Sequence, residues 1–230
     1  PTQAAAVAPA DEASKYLAAR ERLVASIHDY PRAIGERPDP RILAALRQVP
    51  RHLFVPEAVR AEAYQDYPLP IGEDQTISQP SLVALMTHLL RPKPGDVILE
   101  VGTGSGYQAA ILSPLVGKVH SIEIVEALAR QAARRLGDLG YRNVQVRHGD
   151  GYLGWPEHAP FDGIIVTAGA PHVPKPLLAQ LKRGGRMVIP VGPTFTAQEL
   201  KVITKDQRGR LSEQTIIGVR FVPLTRKVRG

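Results

Sequence analysis

The chain has 230 residues, a mass of 25.0 kDa and a formal net charge of +7. At about 150 residues per domain it makes one large domain, or one domain with an appendage, able to bury a core without metal or disulfide staples. Its 43% hydrophobic and 22% charged content excludes wholesale disorder, and the lack of cysteine excludes disulfides, thiolate metal sites and thiol nucleophiles.

Pro1 to Ala10 are Ala/Pro-rich and uncharged. Without a basic region and an apolar block they make no signal peptide. A disordered tail over 1–12 is expected, with a cleavage remnant as the other reading. Asp11 or Ser14 can cap a first helix whose apolar positions Leu17, Leu23, Val24 and Ile27 recur at helical spacing, ending before Pro31. A second helix is expected from about Arg41 to Val49, closed by Pro50, and a short third one near Pro56. Two prolines and a glycine make the first half of Tyr67 to Pro80 a loop, after which Ser81 to Leu90 is helical. Arg91-Pro-Lys-Pro-Gly95 is a turn, and it divides a helical extension over 13–94 from a domain over 95–230.

Beyond Gly95 strands and helices alternate. Val97–Val101 is a short β-branched run suited to a strand buried on both faces. A helix over Ser105–Val116, a strand over Val119–Ile124 and a helix over Glu126–Leu139 follow. Further strands are expected at Val144–Arg147, Gly163–Thr167 and Met187–Val191, with a helix at Pro176–Leu181. Leu200–Thr204 and Thr215–Val222 have only the Gln207-Arg-Gly turn between them and should pair as an antiparallel hairpin. The pattern predicts an α/β fold: a doubly wound, mostly parallel, seven-stranded sheet with one antiparallel edge strand.

Residues 1–94 hold 11 Lys/Arg and 11 Asp/Glu, whereas the last 34 hold 8 and 3. The positive excess is therefore C-terminal, around Lys201, Lys205, Arg208, Arg210, Arg226, Lys227 and Arg229. Such charges suit edge protection of late strands or a solvated tail. A nucleic-acid stripe would carry interleaved aromatics, and the chain is only 5% aromatic. Attraction of acidic substrates is the secondary reading. No apolar run approaches the roughly 18 residues of a membrane span. The seven histidines show no metal-ligand spacing.

Glu100-Val-Gly-Thr-Gly-Ser-Gly-Tyr107 joins the first strand of the alternating region to its helix. Three glycines at alternate positions let the backbone turn sharply and lie close to a ligand at the carboxyl end of the sheet. Dinucleotide sites usually read G-x-G-x-x-G; here the spacing is G-x-G-x-G, preceded by a carboxylate. Glu100 is poor company for a pyrophosphate and good company for a cation, which favours a sulfonium nucleoside over NAD. A tight turn with no ligand is the bland alternative. Glu123, roughly 20 residues on at the end of the next strand, can accept both ribose hydroxyls. Asp150, in Gly149-Asp-Gly151, fits either an acceptor for an adenine amino group or an ordinary Asp-Gly turn.

Leu99-Glu-Val-Gly-Thr-Gly-Ser-Gly-Tyr-Gln108 resembles the cofactor motif of S-adenosylmethionine-dependent methyltransferases. More specifically, from about Pro50 to Thr225 the chain resembles the protein-L-isoaspartate O-methyltransferase family. The segment Leu69-Pro-Ile-Gly-Glu-Asp-Gln-Thr-Ile-Ser-Gln-Pro80 carries that family's Thr-Ile-Ser-Gln-Pro hallmark. Ala159-Pro-Phe-Asp-Gly-Ile-Ile-Val-Thr-Ala168, Leu181-Lys-Arg-Gly-Gly-Arg186 and Phe221-Val-Pro-Leu-Thr225 match it too.

The resemblance implies a Rossmann-like fold and methyl transfer from S-adenosylmethionine to the α-carboxylate of L-isoaspartyl residues in damaged proteins, initiating repair. It implies Ser78 as the active-site residue. Thr76, Ile77, Ser78 and Gln79 would enclose the cofactor with Glu100, Gly102, Thr103, Gly104, Ser105, Glu123, Asp150 and Gly151. Thr225 would join Ser78 at the substrate. Residues 13–94 then become a substrate-binding extension and 95–230 the cofactor domain. A cytoplasmic monomer acting on proteins and peptides, without nucleic acid, membrane or metal, is expected, although the N-terminus leaves a periplasmic or exported form open.

Ser78 also has a bland reading, as the N-cap of the helix that follows Pro80. Cytosine C5 methylation needs a cysteine and is excluded. Methylation of base amino groups usually shows Asn/Asp-Pro-Pro-aromatic where this chain has Thr167-Ala-Gly-Ala-Pro-His-Val-Pro174. A non-catalytic binding module is the alternative from another class.

Overall fold

The computed structural model describes residues 10–27, 35–36, 39–193 and 196–226. Most of the expected tail, the region of Pro31, and Lys227 and Arg229 lie outside the described residues. Helix α1 (Ala10–Ile27) encloses both Asp11 and Ser14, so neither caps it, and its buried stripe is Tyr16, Leu23, Val24 and Ile27 while Leu17 faces out. Helix α2 (Pro40–Gln48) starts as its sequence dictates. Asp39 accepts the Arg41 N–H (2.9 Å), Pro40 occupies a position that needs no donor, and Ile42, Leu43, Ala45 and Leu46 are buried.

Where a loop was expected the chain forms a hairpin. Strand β1 (Leu69–Gly72) pairs antiparallel with β2 (Gln75–Ile77) around a Glu73-Asp74 turn, both residues lying in the left-handed region (φ 53° and 54°). Leu69, Ile71 and Ile77 are buried, while Pro70 faces out. Helix α3 (Pro80–Leu90) follows and is buried almost all round, against α2 on one side and the main sheet on the other.

The main sheet comprises β3 (Val97–Val101), β4 (Lys118–Glu123), β5 (Val144–His148), β6 (Phe161–Val166), β7 (Leu181–Val191), β8 (Gln198–Lys205) and β9 (Leu211–Val219), in the order β5-β4-β3-β6-β7-β8-β9. The first five in that order are parallel; β8 runs antiparallel to β7 and β9 antiparallel to β8, so the terminal hairpin is the antiparallel edge. Alternation along the strands divides the core. Ile98, Val119, Ile165 and Val188 meet the layer that contains α1 to α3, α4 (Tyr107–Leu112) and α5 (Glu126–Asp138). Leu99, Ile164 and Met187 meet Trp155, Phe161 and Leu177 of α6 (Lys175–Gln180) on the other face. Helix α4 is shorter than expected because Ser113-Pro114 tightens into a 3-10 turn.

The acidic residues of the C-terminal hairpin are all paired with its own cations, so the positive excess stays uncompensated within that segment. Lys201 pairs with Glu213 (2.6 Å) and Glu199 (3.3 Å), Arg210 with Asp206 (2.8 Å), and Lys205 Nζ donates to the Leu178 and Leu181 carbonyls. No helix among the described residues is long and apolar enough to cross a membrane.

Candidate active site

Strands β3 and β6 are neighbours, and the chain leaves them toward opposite edges of the sheet. Their carboxyl ends therefore open a crevice, the place where such sheets bind ligands. A cleft of about 670 Å³ lies there.

Its floor is the loop after β3. Gly102, with φ 99°, packs so tightly on Thr167 that a Cβ would lie 2.5 Å from the Thr167 hydroxyl oxygen, and that hydroxyl donates to the Gly102 carbonyl (2.6 Å). No L side chain fits there. Thr103, Gly104 and Ser105 continue the floor. Glu123, at the end of β4, is 5% exposed and accepts the backbone N–H groups of Gly104 (2.7 Å) and Val125 (2.9 Å), so it shapes the glycine loop as well as facing the cleft.

Two expected cofactor residues do not line the cleft. Glu100 is fully buried beneath the loop, where Ser121 donates to it (2.5 Å) and, among the described residues, its other oxygen meets no partner at hydrogen-bond geometry. Burial pushes its carboxyl up to about 8, the neighbouring Glu123 adding to the effect against the Ser121 hydrogen bond. At neutral pH it is mostly uncharged, which removes the premise of a carboxylate offered to a cation. Asp150 accepts the Tyr152 N–H (2.9 Å) and pairs with Arg226 (3.6 Å), so it behaves as a turn cap. Gly151 beside it does reach the cleft, its missing Cβ leaving room for Val101 and Leu224.

The walls come from two distant segments. The hairpin and the turn after it contribute Thr76, Ile77, Ser78 and Gln79, with Ile71 seated over Gly104. The other wall is a strap after β9. Phe221 N–H donates to Gln198 (2.8 Å), and the strap pairs with Gly169 through Val222 and Leu224 (2.8 Å each), which brings Thr225 to the same cleft as Ser78.

Ser78 is not a helix cap. Gln79 holds the cap position of α3, and Asp66 accepts the Ser81 N–H (2.8 Å) in its place. Among the described residues no side-chain hydrogen bond engages the Ser78 hydroxyl, while its carbonyl accepts from Arg51 (2.8 Å). Arg51, Asp66 and Gln198 were not visible as site residues, because each acts through a contact distant in sequence. Thr167 had a signal: it ends the expected fourth strand, level with the glycine loop.

This strand order, with a glycine turn and an acid at successive strand ends, is that of a Rossmann-like methyltransferase. The chain belongs to the protein-L-isoaspartate(D-aspartate) O-methyltransferase family, whose pattern it matches over residues 24–229. It is 57% identical over 225 residues to protein-L-isoaspartate O-methyltransferase 2 of Syntrophobacter fumaroxidans, covering 96% of this chain and 90% of that one. A protein-L-isoaspartate O-methyltransferase of Opitutus terrae is 59% identical over 189 residues, covering 82% and 81%. A solved protein-L-isoaspartate O-methyltransferase superimposes with a TM-score of 0.82 at 32% identity, over 91% of this chain and 67% of that one. A Plasmodium falciparum structure described as this enzyme in complex with S-adenosyl-L-homocysteine gives 0.76 at 25% identity, over 92% and 99%.

Proposed function

We propose that the cleft binds S-adenosylmethionine and that the chain methylates the α-carboxylate of L-isoaspartyl residues in damaged proteins and peptides, initiating their repair. The observation that carries this reading is Ser78, a hydroxyl relieved of capping duty, on one cleft with the glycine loop and Glu123 in a chain of this family.

The residues suit the cofactor. Gly102 and Gly104 leave backbone rather than side chains along the floor. Each Glu123 oxygen accepts one N–H and keeps a lone pair for a ribose hydroxyl. Gly151 and Leu224 border an apolar slot for a base. When bound, S-adenosylmethionine supplies a methyl group already activated on a sulfonium.

The substrate carboxylate is ionised at neutral pH, so no side chain has to remove a proton. Ser78 would donate to that carboxylate, with Thr225 presented from the strap. Leu82, Met86 and Phe221 give the cleft apolar walls that exclude water. Rate then comes from proximity and orientation, and Ser78 is a positioning donor, since among the described residues no base hydrogen-bonds its hydroxyl to make it a nucleophile. We further read 13–94 as the substrate-binding extension and 95–230 as the cofactor domain of a monomer acting on protein.

Labelled S-adenosylmethionine with matched peptides tests this. A base-labile ester should form on the L-isoaspartyl peptide and not on its L-aspartyl twin; equal labelling of both would overturn the reading.

A further inference from the structure

Arg51 lies in a short 3-10 turn (Arg51–Phe54) after α2, far in sequence from the glycine loop, and none of it reaches solvent. A buried guanidinium needs a carboxylate or a set of acceptors to offset lost hydration. Among the described residues no carboxylate is in ion-pair contact with it. Its Nε donates to the Ala63 carbonyl (2.8 Å) and its Nη2 to the Ser78 carbonyl (2.8 Å). The group lies over the Tyr107 ring, 4.8 Å from the centroid, where Tyr107 favours its charge, and among the described residues its buried Nη1 meets no partner at hydrogen-bond geometry. Asp66 attracts it from further off, but one Asp66 oxygen is already taken by the Ser81 N–H.

The guanidinium fork thus ties two segments together, and one of its two carbonyls belongs to Ser78. Asp66 pins the chain three residues further on through Ser81. Between these anchors the Ser78 peptide is held from behind, while its hydroxyl takes no part in either contact. The same cation, short of a counter-ion, sits against Tyr107, which lines the cleft. A charge in that position favours an anion on the cleft side.

We propose that Arg51 is a positioning residue that fixes the Ser78 hydroxyl toward the cleft and, through its charge, favours a carboxylate there. The proposal rests on the reading of Ser78 given above.

The test is a double-mutant cycle on kcat/KM for an isoaspartyl peptide. It uses wild type, S78A, R51K, R51Q and both double variants, with melting temperature and S-adenosylhomocysteine affinity measured alongside. R51K keeps the charge and loses the fork; R51Q keeps one donor and loses the charge, and the pair guards against one failing to fold. R51K should lose about tenfold in kcat/KM and R51Q more, with S-adenosylhomocysteine affinity within about twofold of wild type. Adding S78A should cost at least about threefold less in R51K than in wild type, because the hydroxyl is already misplaced. Equal S78A losses in both backgrounds would overturn the proposal. So would a loss of cofactor affinity in step with activity, or failure of both Arg51 variants to fold. A wild-type protein inactive on the peptide would instead overturn the substrate reading.

Discussion

On the proposed function Ser78 and Glu123 divide the labour at the cleft they both line, and substitution separates their tasks. Because Asp66 caps α3 from a distance, Ser78→Ala removes no structural hydrogen bond. Melting should therefore barely change. A hydroxyl-to-carboxylate hydrogen bond is worth about 1.5–3 kcal/mol, so turnover on isoaspartyl peptide should fall roughly tenfold to a hundredfold. A loss several orders of magnitude larger would mean that Ser78 is a nucleophile. Glu123→Ala differs in kind, since it strips an acceptor from two backbone amides as well as from the ribose that the proposed function places there. Cofactor affinity by calorimetry should weaken by about 1–3 kcal/mol, and the melting temperature should drop with it. Lowered melting with unchanged affinity would confine Glu123 to shaping the loop.

The strap after β9 shows how one buried side chain joins backbone pairing in bringing an element to a site. Gln198 is 2% exposed, its Oε1 accepts the Phe221 N–H and its Nε2 donates to the Thr196 carbonyl (2.9 Å). Gln198→Leu keeps the bulk and orphans a buried amide, at a cost of about 1–3 kcal/mol. It should raise KM for the peptide while leaving S-adenosylhomocysteine affinity nearly intact; wild-type kinetics would show that the strap does not shape substrate binding. Nothing in the sequence near Phe221 announces this path, since it depends on a contact 23 residues away. Strand β3 was legible because two-sided burial favours β-branched apolar runs, whereas the half-buried edge strand β5 showed through its Val144/Val146 alternation. Strand β9 begins earlier than expected because its first five residues are all exposed and, after Leu211, polar, so they carry no alternation to read. The β1–β2 hairpin was hidden by prolines and by a turn of two non-glycine residues with positive φ, where a sequence reader expects Asn-Gly. Among candidate site residues, glycines and strand-end positions were visible through spacing. Glu100 misled because spacing gives a carboxylate's address and not its burial.

At the scale of the whole molecule, three groups with opposed titrations set the pH dependence of stability. Burial depresses His52 and His120 from about 6.5 to about 4, reinforced by Arg20 and Arg60 near His52 and by His158 and Lys118 near His120. Each is neutral in the fold while the unfolded chain takes up a proton below 6.5. Their contribution is fully present above 6.5 and is lost as pH falls toward 4. Glu100 has the opposite sign. Its folded value of about 8 exceeds the unfolded 4.5, so the fold keeps a proton that the unfolded chain has released. That contribution is complete below 4.5 and is lost as pH rises to 8. Between 4.5 and 6.5 two histidines act against one carboxyl, and stability rises with pH; above 6.5 only Glu100 remains, and stability declines until its own titration ends. The urea midpoint should therefore peak near pH 6.5 and fall by the equivalent of a few kcal/mol at most toward pH 8. Glu100→Gln, which keeps an acceptor for the Ser121 hydroxyl and cannot ionise, should flatten the alkaline limb and steepen the rise between pH 4.5 and 6.5, where Glu100 no longer opposes the histidines. Midpoints for both proteins from pH 4.5 to 9 decide it: parallel curves above pH 6.5 would show that Glu100 ionises in the fold near its ordinary value, with the buried oxygen solvated by water.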